Sequence, residues 1–226
     1  MNLRKLIIVS IAILGAAGAW SAQAAVPASA DGLVPVRSWL LDQLYLRPGV
    51  DLAGYRKIMI DPAQVEFRPD WNRDFADPHA RLRRLSQEDV GRIARDTAAN
   101  MERALADAFR GRGYEVVSAP GPGVLRLSPR VTDLYVNAAE ELMTGGTTKS
   151  FTKDAGEATL ILDARDGASG ELVSRIVDRR TAHETKGQQI PDVLRTSQVS
   201  NNLWFDQSFR RWAADCIKEF QASRKA

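Results

Sequence analysis

The chain has 226 residues, enough for one well-buried domain, with 31 basic against 28 acidic residues and a net charge of +3. So even a balance gives no electrostatic ground for a nucleic-acid partner. One cysteine cannot form an internal disulfide, and one cysteine with two histidines falls short of a zinc ligand set.

The first 24 residues have the plan of a secretory signal. Arg4 and Lys5 precede an apolar run over residues 6–14, small residues continue it to Ala19, and Ala22-Gln23-Ala24 is a small-x-small cleavage site. The run is shorter than the roughly 20 residues of a spanning helix, so cleavage after Ala24 is expected rather than an uncleaved anchor. No later segment is apolar enough to span a bilayer. The expected product is a soluble periplasmic chain with 29 basic and 28 acidic residues. A lipid anchor would need a cysteine directly after the cut, and Cys216 lies near the other end. Its neighbours Trp212, Ala213 and Ile217 suggest a buried, structural thiol on a helix.

Residues 25–37, small and proline-bearing, read as a flexible leader. Residues 38–45 (SWLLDQLY) form a short apolar piece of helix or strand, closed by Arg47-Pro48-Gly49. Residues 55–60 read as a strand stopped by Asp61-Pro62, and 64–67 as another stopped by Pro69. Residues 68–85, polar but carrying Trp71 and Phe75, read as a long loop. Ser86 can cap a helix with Glu88 and Asp89 in its first turn, where the helix dipole favours acids. Val90, Ile93, Ala94, Met101, Ala104, Leu105, Ala108 and Phe109 recur at helical spacing up to a stop at Gly111-Arg112-Gly113.

Residues 114–117 follow as a strand, and strand–helix–strand order favours parallel pairing through a crossover. Residues 124–137 read as a long strand in which Pro129 fits only an edge or a bulge. Residues 138–154 read as a loop. Residues 157–165 and 171–181 make a β-hairpin about Asp166-Gly167-Ala168-Ser169-Gly170. A last helix starts at Asn201 or Asn202. Phe205, Phe209, Trp212, Cys216 and Phe220 line one side of it; Arg210, Arg211, Asp215, Lys218 and Glu219 line the other. The expected fold is α+β: one domain over 38–222, a mixed, mostly antiparallel sheet with two long helices packed on one face.

Chemistry is sparse. His79 and His183 sit beside no nucleophile elbow. The acids and glycines of 163–171 match a hairpin turn better than a calcium loop. Gly121-Pro122-Gly123 and Gly145-Gly146-Thr147-Thr148 lack the ending of a phosphate loop. Paired carboxylates could serve glycoside hydrolysis, with Glu140 and Glu141 or Asp163 and Asp178 as candidates. The latter two are better suited to cross-strand ion pairs with Arg165, Arg175, Arg179 or Arg180. No catalytic, metal or cofactor residue is therefore assigned. Trp204, with Asn201 and Asn202 beside it, lies off the aromatic stripe and is the candidate partner-binding surface.

Four segments in order carry a resemblance: Leu125-Arg126-Leu127 running into Val131-Thr132-Asp133; Asp154-Ala155-Gly156-Glu157-Ala158-Thr159-Leu160; the 166–170 turn into Asp178-Arg179-Arg180; and Asn202-Leu203-Trp204-Phe205-Asp206-Gln207-Ser208-Phe209-Arg210-Arg211-Trp212-Ala213. Together they resemble a bacterial envelope family known only as domain of unknown function 3313, over about residues 35–222. The resemblance implies an envelope location but no activity. Members often look like lipoproteins, a feature this chain lacks. Two functions follow as expectations: a non-enzymatic binding or assembly module, whose partner is another envelope protein or a second copy, or an exported hydrolase of envelope polymers using loop carboxylates.

Overall fold

Residues 124–136 form the strand on which the sheet is organised, and their pattern explains why. Along β6 (Val124–Val136), Leu125, Leu127 and Val131 are buried at alternate positions, as a strand with one core face requires. The phase then slips: the next buried residues are Leu134 and Val136. One extra residue makes the slip, because the register moves from Thr132 opposite Thr159 to Tyr135 opposite Glu157. Asp133 takes up the bulge at φ 51°, a left-handed conformation that a short polar side chain tolerates. Without it, every later side chain on β6 would point to the wrong face.

The computed structural model describes residues 31–69, 71, 87–136, 154–183 and 198–223. In chain order these give β1 (Val34–Val36), β2 (Gln43–Leu46), a 3-10 turn (Leu52–Gly54), β3 (Lys57–Ile60) and β4 (Gln64–Phe67). Then come α1 (Gln87–Arg110), β5 (Glu115–Val117), β6, β7 (Asp154–Asp166), β8 (Leu172–His183) and α2 (Gln198–Ser223). The eight strands make one sheet in the order β1-β2-β8-β7-β6-β3-β5, with β4 also paired to β6. The β1–β2, β2–β8, β8–β7 and β7–β6 ladders are antiparallel; β3 and β4 run parallel to β6, and β5 parallel to β3. This is the mixed α+β sheet expected from the sequence, with the β7–β8 hairpin as read.

Pro129 is the first correction. It is buried in mid-sheet opposite Leu162 of β7, not on an edge. On its other side β3 has ended and β4 has not begun: Ile60 pairs with Leu127, and Gln64 with Arg130. The Asp61 N–H donates to the Leu127 carbonyl (2.8 Å), so the main chain of residues 127 and 129 faces this break. The missing proline N–H falls where no strand waits for it. The break is itself satisfied: the Ala63 N–H donates to Glu102 Oε1 of α1 (2.8 Å), and the Asp61 carboxylate accepts from Arg126 Nε (2.9 Å) and Ser128 Oγ.

The second correction is to the end of the leader read over 25–37, of which residues 25–30 lie outside the described residues. Leu33 is fully buried, and residues 34–36 are the edge strand β1. The Arg47 N–H donates to the Val173 carbonyl of β8 (2.9 Å), so alternate residues Leu44 and Leu46 turn their main chain toward β1. Their partners are Val36 and Val34, which leaves the main chain of Pro35 facing out from the sheet edge. Residues 38–45 divide into a turn and β2, and α2 begins at Gln198, earlier than the asparagines suggest. Trp71, assigned to a polar loop, is buried: it stacks on Phe67 at 4.5 Å and donates from Nε1 to the Val136 carbonyl (3.0 Å).

Both helices lie on the core face of the sheet, running side by side in the same direction. Arg103 meets Asp206, Phe109 meets Phe220 at 6.2 Å, and Arg112 donates to Gln221. α1 buries Thr97, Met101, Ala104, Leu105 and Phe109, and ends where Gly113 adopts φ +83°. The aromatic stripe of α2 is buried as its spacing predicted, with Phe205, Phe209, Trp212, Cys216 and Phe220 joining one continuous core. Phe205 packs where β7 comes closest: Gly156 sits at φ +152°, and a Cβ there would strike the Tyr135 carbonyl oxygen and lie 2.9 Å from the Phe205 ring.

Gly156→Ala is therefore expected to lower the melting temperature sharply in thermal unfolding. Trp212→Ala should cost about 3–5 kcal/mol, and alanine at the exposed Arg211 should stay within about 0.5 kcal/mol of the parent.

Candidate functional site

Asp163 and Asp178, one of the two candidate carboxylate pairs, are kept apart by the pleat and are paired with arginines, as expected. Asp163 pairs across the hairpin with Arg175, and Asp178 with Leu160, three residues away along β7. An odd spacing puts the two carboxylates on opposite faces of one sheet, so they cannot flank one bond. Asp163 lies on the face away from the helices, gripped by Arg175 through Nε (2.6 Å) and Nη2 (2.9 Å). That hydrogen bonding holds the Arg175 guanidinium well above its ordinary pKa, and its remaining arm reaches Asp31 at 2.8 Å. Asp166 closes the hairpin turn as read: its Oδ1 accepts from the N–H groups of Ala168 (3.0 Å) and Ser169 (2.7 Å) and from the Ser169 hydroxyl. The Ser169 bonds lower its pKa. Burial, and a hydrogen bond donated to Asp166, push the Tyr55 phenol up to about 12.

On the helix side, Asp178 and Arg180 lie under α2. Asp178 is only 2% exposed. Its Oδ2 accepts from Arg180 Nε (2.7 Å), and its Oδ1 from the Asp42 N–H (3.0 Å). Arg180 Nη2 donates onward to Asp215 of α2 (3.0 Å) and to the Leu40 carbonyl (2.9 Å). Burial opposes the charge on Arg180, but the bonds to Asp178 and Asp215 outweigh it and hold the pKa up. Cys216 follows Asp215 and is fully buried; desolvation pushes its thiol far up, which disfavours the thiolate. No group of three or more metal-binding side chains occurs among the described residues.

This network also builds a display. Ser38 Oγ accepts from the N–H groups of Leu40 (3.2 Å) and Leu41 (3.0 Å) and donates to Glu219 Oε1 of α2 (2.9 Å). Leu41 is buried in the core. The turn is thus fastened to β8, to α2 and to the interior, and Trp39 at its tip is 79% exposed. Arg37 lies over the indole, its Cζ 3.9 Å from the ring centroid. Val34, Val36, Trp39 and Leu40 are the exposed large hydrophobic residues among those described, all within seven consecutive positions. A single segment with this composition is the strongest candidate interaction site.

The sequence pointed elsewhere. Asn201, Asn202 and Trp204 fall within α2, but their side chains lie outside the described residues. So do Glu140, Glu141, His79, Ser86, the 145–148 glycine turn and the signal segment; His183 ends β8 opposite Asp154, with its side chain likewise outside. Trp39 escaped notice because residues 38–45 follow neither helical nor alternating spacing. The usable signal was Ser38, a turn former directly before the tryptophan.

The fold is a single mixed α+β sheet carrying two long helices on one face. A family model described as protein of unknown function (DUF3313) matches residues 28–213, and the chain belongs to that family. No curated protein matches the chain at a significant level. Solved structures similar to it include a dodecameric variant of PelC from Paraburkholderia phytofirmans, at 13% identity and TM-score 0.35, covering 76% of this chain and 96% of that one. The PelC dodecamer of the same organism in space group P6 is 11% identical with the same score and coverage. At that overlap neither the fold nor the assembly of those proteins transfers to this chain.

Arg180→Met should destabilise the protein by about 3–5 kcal/mol, since it leaves the buried Asp178 carboxylate without its cation. Denaturant titration beside Arg179→Met, which breaks only an exposed pair to Glu157 and should cost about 1 kcal/mol or less, checks this. Cys216 should resist a thiol reagent until the protein is denatured, and Cys216→Ser should cost about 1–3 kcal/mol. Stoichiometric labelling of the native protein would contradict its burial.

Proposed function

We propose that this protein is exported to the periplasm and works by binding, as a docking or assembly module of the cell envelope. The observation that carries the reading is the pinned turn at residues 37–41. A tryptophan held almost wholly in solvent by a serine turn, a buried leucine and an ionic network has already had its backbone ordered before any partner arrives. Indole and guanidinium side chains are the groups that most often dominate binding surfaces. Export is supported by the tripartite pattern of residues 1–24. The competing reading, a hydrolase of envelope polymers, rests on the loop carboxylates Glu140 and Glu141, which lie outside the described residues; the other candidate pair, Asp163 and Asp178, lends it no support, since the two face opposite ways and are each held by an arginine.

The test is a photo-reactive residue at position 39, expressed in the native host, with position 95 on the exposed side of α1 as control. The expected result is a discrete adduct from position 39 and none from position 95, on a chain whose mass begins at Ala25. A chain that gives no adduct at 39, or that cleaves envelope polymer when purified, overturns the binding reading. A chain retained in the membrane with Met1 intact overturns periplasmic release.

A further inference from the structure

We infer that the edge formed by β1 and the 37–41 turn is a shallow membrane-docking wedge, which the protein lays on a lipid surface with Trp39 leading. The inference rests on the binding-module reading and names the partner of that same site. Val34 and Val36 pair with Leu46 and Leu44, so they share the core-side face of the sheet but remain exposed at its margin. Trp39 and Leu40 follow within four residues of Val36, in the turn that leads to β2. The acids nearest in sequence are occupied: Asp42 Oδ2 accepts from the Arg179 N–H (2.8 Å), and Asp31 pairs with Arg175 (2.8 Å); Glu219 of α2, beside the turn, accepts from Ser38.

Two features favour a lipid surface over a protein partner. The first is size. A stable protein interface takes about 800 Å² from each side, and these four side chains are the whole of the exposed large apolar surface among the described residues. A lipid interface asks for no matching surface, only for apolar groups that sink to the headgroup boundary. The second is the backbone. A strand partner would add to β1 through its outward main-chain groups, and the residue facing outward there is Pro35, which has no N–H to give. What remains is side-chain insertion. Arg37 stacked on the Trp39 indole suits it: the ring enters the boundary layer while the guanidinium stays level with the phosphates.

The test uses the exported chain, purified as the cell processes it, with vesicles of phosphatidylethanolamine and phosphatidylglycerol. Co-sedimentation of the parent is expected, with a blue shift of tryptophan emission. Trp39→Ala should reduce binding by about tenfold or more, since an indole's worth of apolar burial is removed, while its melting temperature stays at the parent's. Arg37→Gln should retain binding but lose the preference for phosphatidylglycerol over phosphatidylcholine. Equal sedimentation of parent and Trp39→Ala, or no sedimentation of the parent, overturns the wedge. So does a concentration-dependent dimer that Trp39→Ala abolishes, because a second copy then occupies the patch. If position 39 cross-links to a protein in cells while vesicles are ignored, the wedge fails and the binding module stands.

Discussion

Arg180 ties together parts of the chain that are far apart in sequence. Its guanidinium reaches Asp178 on its own strand, Asp215 on the final helix and the Leu40 carbonyl in the turn before β2. Desolvated charges are costly, and the network persists because each charge finds partners of the opposite sign in good geometry. It fixes where α2 crosses the sheet, which in turn sets the aromatic stripe of α2 against β7 and α1. It also fixes the turn that holds Trp39 in solvent. Among the described residues, the most buried charge and the most exposed large apolar group are thus joined through Leu40, the residue next to Trp39.

A second constraint belongs to β6, where antiparallel and parallel halves of the sheet meet. A central strand must match two neighbours at once, and β6 matches β3 and β4 in succession along one side. The change of neighbour occurs at Pro129, and the change of phase at Asp133. Each irregularity is answered locally: Glu102 takes the N–H freed at Ala63, and Asp133 turns through the left-handed region so that Leu134 and Val136 regain the core.

Much of this was legible. Periodicity located α1, the aromatic side of α2 and the β7–β8 hairpin, because each buries one regular stripe. The residues that carried the family resemblance prove to be positions under geometric demand: Asp133 at the bulge, Gly156 beneath Phe205, and Asp178 and Arg180 in the ionic network. What could not be read were relations between distant segments. Pro129 looked like an edge residue because nothing local says that β3 stops opposite it. Trp71 looked like loop because its partners, Phe67 and the Val136 carbonyl, lie on two different strands. The candidate interaction site was hidden for the same reason: the exposure of Trp39 is set by what holds residues 38, 40 and 41, and those partners come from β8 and α2.

Pro35 has a consequence beyond the local pairing of β1. An open sheet invites growth, since each free edge is a template on which another chain can hydrogen-bond. Here one edge has a proline at its outward position, and the other is made of β5 and β4, only three and four residues long. Neither offers a ladder on which fibrils could propagate. A protein with an apolar margin beside an open edge would otherwise be prone to polymerise. Closing the backbone route lets that margin stay sticky without becoming self-seeding.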